Sequence, residues 1–192
     1  VTVAFRPLDP ATDEPVVRRW LQGYLEEHVA WFLAARGRGD EDAATVVAQR
    51  DLVGRDWRNL VVAAQEPADE RLVAIALSDD DDPRPAGLVE AGLTEDSFLG
   101  TTGGVLQWLV VDPGQRGRGV AHALVDHACA WFDARGADGS QLFVTQANVA
   151  AMRTYARAGF VAVDARMFRP GRTRGAASST SDDERSPPPG QC

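Results

Sequence analysis

The stretch Leu109-Val110-Val111-Asp112-Pro113-Gly114-Gln115-Arg116-Gly117-Arg118-Gly119-Val120-Ala121 leaves the chain few choices. β-Branched and aliphatic residues run into Asp-Pro-Gly. Two glycines follow, one residue apart, and then apolar residues at helical spacing. The order reads as strand, glycine-bearing turn and helix start. It gathers free backbone N–H groups and the positive end of a helix dipole at one point, which suits a phosphate.

Composition narrows the class of phosphate ligand. None of the 20 basic residues is lysine, so a P-loop, which needs Lys-Ser or Lys-Thr, is excluded. A dinucleotide fingerprint wants a small residue where this chain has His122, and a place near the first strand of a domain; here at least three strands precede the turn. A net charge of −8 argues against general nucleic-acid binding. No basic segment leads into an apolar run at Val1, and no apolar stretch is long enough to cross a membrane. Cys129 and Cys192 form no disulfide framework, so a reducing cytoplasm is the simplest expected home.

Before the turn, residues 1–8 read as a short strand. Asp13, Glu14 and Pro15 mark a helix start, and Val16, Val17, Trp20, Leu21, Tyr24, Leu25, Val29, Phe32 and Leu33 repeat with helical period until Gly37 and Gly39. A second helical stretch is expected from near Asp40 through Val46, Val47 and Leu52. Residues 60–64 fit helix or strand equally well. Arg71 to Ser78 and Gly87 to Thr94 read as strands around an exposed acidic loop, Asp79 to Asp82. Phe98 to Gly104 is expected as a glycine-rich loop and Val105 to Val111 as a strand.

After the turn, Val120, Leu124, Ala128 and Trp131 share a helix face, and Gly136 ends that helix. Gln141 to Thr145 is the next expected strand. Asn148 caps a short helix closed by Gly159. Phe160 to Phe168 is the last expected strand. Residues 170–192, rich in Gly, Ser, Thr, Arg and Pro, are expected to be disordered, leaving one domain over residues 1–169.

Arg116-x-x-Gly119-x-Ala121 resembles the Arg/Gln-x-x-Gly-x-Gly/Ala motif of the GNAT superfamily of N-acetyltransferases. Leu109 to Pro113 is similar to that family's central strand and its exit. Asn148, Ala151, Tyr155, Gly159 and Phe160 match its Asn-x-x-Ala-x-x-x-Tyr-x-x-x-Gly-Phe segment. The resemblance covers residues 105–160, while residues 1–104 agree in element order only.

The resemblance implies an α/β fold: a mixed, mostly antiparallel central sheet flanked by helices, splayed in the middle to hold acetyl-CoA. Backbone N–H groups from Arg116, Gly117, Arg118, Gly119, Val120 and Ala121 would bind the pyrophosphate. Leu109, Val110 and Val111 would pair with the pantetheine arm as an added strand would. Asn148 and Tyr155 would complete the donor site. The implied reaction moves acetyl directly to a primary amine, expected to belong to a small molecule. A protein N-terminal or side-chain amine is the alternative, and a non-catalytic acyl-CoA-binding domain is the reading from another class.

An alkyl ammonium with a pKa of about 10.4 cannot attack until it loses a proton, and the departing thiolate should gain one. Tyr155 stands where the family's acid sits. Many relatives carry a glutamate base where this chain has Gln107, which cannot take a proton. Glu90 is the candidate base, directly or through water, with an exposed strand residue as the plainer reading; Glu95 and Asp96 are weaker candidates. His28, His122 and His127 form no ligand cluster, and no metal is expected. Trp20, Tyr24, Trp31 and Trp57 fit core packing, with an acceptor pocket as the alternative. Cys129 fits a packed apolar position. Strand alternation puts Gln107 and Trp108 on opposite faces. The family often ends in one more strand than this chain supplies, so an open edge, and pairing with a second copy as a homodimer, are expected.

Overall fold

The computed structural model describes residues 3–96, 100–165 and 167–169. Its elements in order are β1 (Ala4–Pro7), α1 (Pro10–Ala35), α2 (Ala43–Gln49), α3 (Leu52–Ala63), β2 (Arg71–Leu77), β3 (Pro85–Asp96), β4 (Thr101–Val111), a 3-10 turn (Pro113–Gln115), α4 (Val120–Asp133), β5 (Ser140–Leu142) and α5 (Val149–Arg157). The strands form one sheet in the order β1-β2-β3-β4-β5. The first four pair antiparallel, and β5 joins β4 in parallel. This is the mixed, mostly antiparallel sheet expected.

Alternation along the strands builds two cores. Val73, Ile75, Leu88 and Val110 face α1 and α3, where they meet Val17, Leu21, Leu25, Trp57 and Leu60. Ala74, Ala76, Val89, Ala91 and Leu106 face α4 and pack on Leu124, Val125, Ala128 and Phe132. The alanines on this second face let α4 approach closely. Gly104 carries that closeness furthest: a Cβ there would stand 2.5 Å from the Phe132 ring.

Helix α1 starts earlier than expected, because Asp9 rather than Asp13 is its cap. Asp9 accepts from the Ala11 N–H at 3.0 Å, and Pro10 opens the first turn. Asp13 is buried instead. It accepts two bonds of 2.6 Å from Arg6 and one of 2.9 Å from the Asp9 N–H, tying β1 to α1. Burial pushes the Asp13 carboxyl up, but the Arg6 bonds, the Asp9 N–H and the Arg6 charge outweigh it and hold the group below its ordinary range.

The second helical stretch is two helices, not one. The chain breaks at Asp51, whose φ of 45° is left-handed, a conformation that Asp tolerates better than most residues. Residues 60–63 are the end of α3. Two strand expectations are corrected. Of residues 141–145 only the first two are strand, in the three-residue β5 (Ser140–Leu142), and among the described residues no strand follows it: 160–165 and 167–169 have no regular structure. A strand holds its place through ladder bonds rather than apolar content alone, and no ladder forms here. Residues 101–104, expected in a loop, belong to β4, while 97–99 lie outside the described residues. The tail expected to be disordered, 170–192, also lies outside them.

Candidate active site at the opening between β4 and β5

The opening is made by one inserted residue. Across β3 and β4, Glu90 pairs with Trp108 but Ala91 pairs with Leu106, so Gln107 has no opposite number and forms a β-bulge. The bulge overturns the simple alternation expected for this strand. Leu106 and Trp108, two apart, pack in different cores: Leu106 with α4 and Trp108 with α1. Pairing with β5 ends at Leu106, one residue before the bulge. From Trp108 to Val111, β4 keeps β3 on one side and, among the described residues, has no strand on the other.

At the far end of that free edge lies the glycine turn. Asp112 caps it, accepting from the Gly114 N–H at 2.8 Å. The same carboxylate accepts from the Trp20 indole at 2.7 Å and lies 3.5 Å from Arg19, so the exit of β4 is fastened to α1. Burial alone would raise the Asp112 carboxyl; bonds from Trp20 and Gly114 and the Arg19 guanidinium together hold it low. Sequence reasoning missed this anchor, although Asp followed by Pro-Gly is a known turn signal.

Gly117 and Gly119 have φ of 79° and 83°, the left-handed region that any side chain would strain. Gly119 caps α4 without a side-chain bond, and the first helical bond runs from the Ala123 N–H to the Gly119 carbonyl. The N–H groups of Val120, Ala121 and His122 therefore lie at the helix start without an intrahelical acceptor. Three N–H groups on a helix dipole can together accept an anion. The Arg118 N–H already donates to Gln115, and its guanidinium lies 3.9 Å from Asp80 of the acidic loop. Arg116 is exposed.

Asn148 caps α5, accepting from the Ala151 N–H at 3.1 Å. That helix carries Tyr155, whose ring packs with the α4 core and meets Phe160 edge-on at 6.0 Å. Burial, and then the neighbouring Tyr24, push the Tyr155 phenol up to about 12. It stays protonated at any working pH and can donate.

Glu90 is buried, not exposed, at 6% accessibility. It shares the α1 face with Leu88 by alternation. Arg71 reaches it only at 4.0 Å. Burial pushes its carboxyl up to about 7, Arg71 pulls it down, and Glu66 and Asp56 push it up again. A carboxyl poised near 7 is suited to taking protons at neutral pH. Its cross-strand partner is Trp108, so it sits one strand behind the opening.

The aromatic residues of the first helices divide. Trp20 and Trp57 are core, at 3% and 6% exposure. Tyr24 and Trp31 are only half-buried, as are His28 and Phe32 on the same helix. Tyr24 meets Trp108 edge-on at 5.1 Å and stacks on His28 at 5.4 Å. The His28 Nδ1 lies 3.4 Å from the Thr145 hydroxyl, just past β5. His28, weighed in the sequence only as a metal ligand, thus stands at the opening; its signal was its spacing of four from Tyr24. Among the described residues no group of His, Cys, Asp and Glu could hold a metal ion, and no helix is long and apolar enough to cross a membrane. Cys129 packs beside the α4 core, and burial raises its thiol.

Comparison with known proteins agrees with this geometry. The model of the Acetyltransferase (GNAT) family matches residues 25–160. No curated protein matches the sequence. Among solved structures, the tetramutant of BH1408 protein from Bacillus halodurans is 20% identical with a TM-score of 0.66, covering 87% of this chain and 99% of that one. A GCN5-related N-acetyltransferase from Ralstonia eutropha JMP134 is 23% identical with a TM-score of 0.58, covering 88% and 98%. AAC(6')-Iy, solved with the bisubstrate analog CoA-S-monomethyl-acetylneamine, is 19% identical with a TM-score of 0.56, covering 90% and 100%. The splayed sheet, the glycine turn and the family match together place this chain in the GNAT acetyltransferase family.

Proposed function

We propose that the chain is an acetyl-CoA-dependent N-acetyltransferase that moves acetyl directly to a primary amine of a small molecule. The observation that carries this reading is the Gln107 bulge, beside which the β4 edge from Trp108 to Val111 has no strand partner among the described residues. These residues fit acetyl-CoA: unpaired N–H groups at Val120 to His122 for the diphosphate, and a strand edge for the pantetheine amides. Neamine, acetylated in the analog bound to AAC(6')-Iy, is also an amine.

Acetyl-CoA supplies an activated carbonyl. Gly117 and Gly119 let the backbone of the turn close on the diphosphate, while Leu109, Val110 and Val111 orient the arm. A backbone N–H near Val110 or Val111 donates to the carbonyl oxygen as negative charge grows there. Glu90, ionised above about pH 7, takes the ammonium proton through water that passes Trp108. The amine nitrogen then bonds to the acetyl carbon, the carbon–sulfur bond breaks, the Tyr155 hydroxyl gives its proton to the departing sulfur, and the extra proton on the new amide nitrogen passes to the Tyr155 oxygen, which restores the phenol.

Release of free thiol from acetyl-CoA, measured with and without a panel of primary amines, tests the reading. Amine-dependent release is expected. Thermal stabilisation by acetyl-CoA with no release on any amine would instead leave a binding domain, the reading that Gln107 in place of glutamate favours.

A further inference from the structure

The face of α1 that meets the opening is built unlike the rest of that helix. Leu21, Leu25 and Leu33 are buried in the core. Tyr24, His28, Trp31 and Phe32, at spacings of four, three and one, are half-buried. Their rings contact one another in series: Tyr24 on His28 at 5.4 Å, His28 against Phe32 at 4.9 Å and against Trp31 at 6.1 Å. Trp108, beside the bulge, continues the series at 5.1 Å from Tyr24. Rings that served only as core would be covered, as Trp20 and Trp57 are. Tyr24 against Trp108 and His28 against Thr145 set this wall of rings beside the gap between β4 and β5.

Charge limits what the wall can hold. Two carboxylates act on Tyr24, Asp56 and Glu27. Asp56 is bound by Arg55 at 2.6 Å. Glu27, the second, is exposed. Glu27 flanks Tyr24 and Glu90 lies across the strands from Trp108, so the negative charge that would meet an ammonium gathers at the Tyr24–Trp108 end of the row. At the C-terminal end of the wall, the Arg36 guanidinium lies over Phe32 at 5.6 Å and over Phe168 at 4.8 Å. A second ammonium extending that way would meet a like charge.

We propose that the acceptor is a primary monoamine on a short chain attached to an aromatic ring, its ring against Phe32, His28 and Trp31 and its nitrogen toward Trp108 and the bulge. This inference rests on the N-acetyltransferase reading and narrows it against polyamines and amino sugars.

The test compares acetyl transfer to 2-phenylethylamine, tryptamine, butylamine, spermidine and glucosamine. The two aryl monoamines are expected to show at least tenfold higher kcat/KM than the others. Phe32→Ala should raise KM for 2-phenylethylamine about tenfold, leave butylamine and the KM for acetyl-CoA within twofold, and be rescued by Phe32→Tyr. Those last readouts separate ring contact from a folding defect, and the wild-type panel stands even if the alanine variant fails to fold. Preference for spermidine or glucosamine, or for butylamine equally, overturns the acceptor class while the acetyltransferase reading stands. Transfer to none of the panel overturns both when acetyl-CoA also fails to bind; when acetyl-CoA binds, it overturns the acceptor class and points to a binder.

Discussion

The turn between β4 and α4 is built from backbone atoms, whereas the α1 wall is built from rings. At the turn, two left-handed glycines and an uncapped helix start set the geometry, and the side chains of Arg116 and Arg118 lean away into solvent or toward Asp80. At the wall, the backbone is an ordinary helix, and everything specific lies in Tyr24, His28, Trp31 and Phe32. A backbone site holds whatever is common to every turnover. A side-chain site can be rewritten residue by residue without disturbing the fold. The two meet at Tyr155 and Trp108, where the chemistry is proposed.

That contrast orders the predictions. Tyr155→Phe removes the donor at the meeting point, and kcat should fall about 100-fold with the KM for acetyl-CoA within twofold; steady-state thiol release reads this. Unchanged kcat would make Tyr155 a packing residue only. Glu90→Gln should lower kcat/KM by about 30-fold near pH 8 and abolish a limb that rises through about pH 7 in the parent.

Glu90 also makes a stability prediction of definite sign. Its folded pKa lies above the unfolded value of 4.5, so burial favours the protonated form. Its contribution is full below about pH 4.5 and is lost as pH rises through about 7. At pH 8 Glu90→Gln should therefore be more stable than the parent, by about 3 kcal/mol, and at pH 4 nearly equal to it. Urea melts at the two pH values check this; equal stability at both would return Glu90 to an ordinary carboxylate.

Gly119→Ala forces a side chain into a left-handed φ at a cost of about 1–2 kcal/mol, and should weaken acetyl-CoA binding about tenfold by calorimetry while leaving amine preference alone. The smallest effect belongs to Arg118→Ala. Its guanidinium already faces Asp80, so acetyl-CoA affinity should change less than threefold. A larger loss would mean that side chains, not backbone, hold the diphosphate.

The same contrast explains what the sequence could reveal. Gly117, Gly119 and Asn148 act on their own turn or helix end, so their roles could be read from a few neighbouring letters. The family resemblance covered residues 105–160 for the same reason. The Gln107 bulge could not be read this way, because it exists only in the register of β4 against β3, and it moved Trp108 to the face opposite the one that alternation from Leu106 implies. Glu90 looked exposed because the neighbours that bury it come from elements distant in sequence. His28 meets Thr145 only after β5 has been placed. Phe160 to Phe168 has the apolar content of a strand, but its Val161, Val163 and Met167 are 78%, 83% and 93% exposed. Composition there pointed to an element that the ladder does not supply.

Amide hydrogen exchange with and without acetyl-CoA tests the central claim most directly. The account predicts slowed exchange at Val120, Ala121 and His122, and at the amides of Trp108 to Val111 that point away from β3. It predicts no change at the far edge of the sheet, Ala4 to Arg6. Protection confined to that far edge, or none at millimolar acetyl-CoA, would contradict the account.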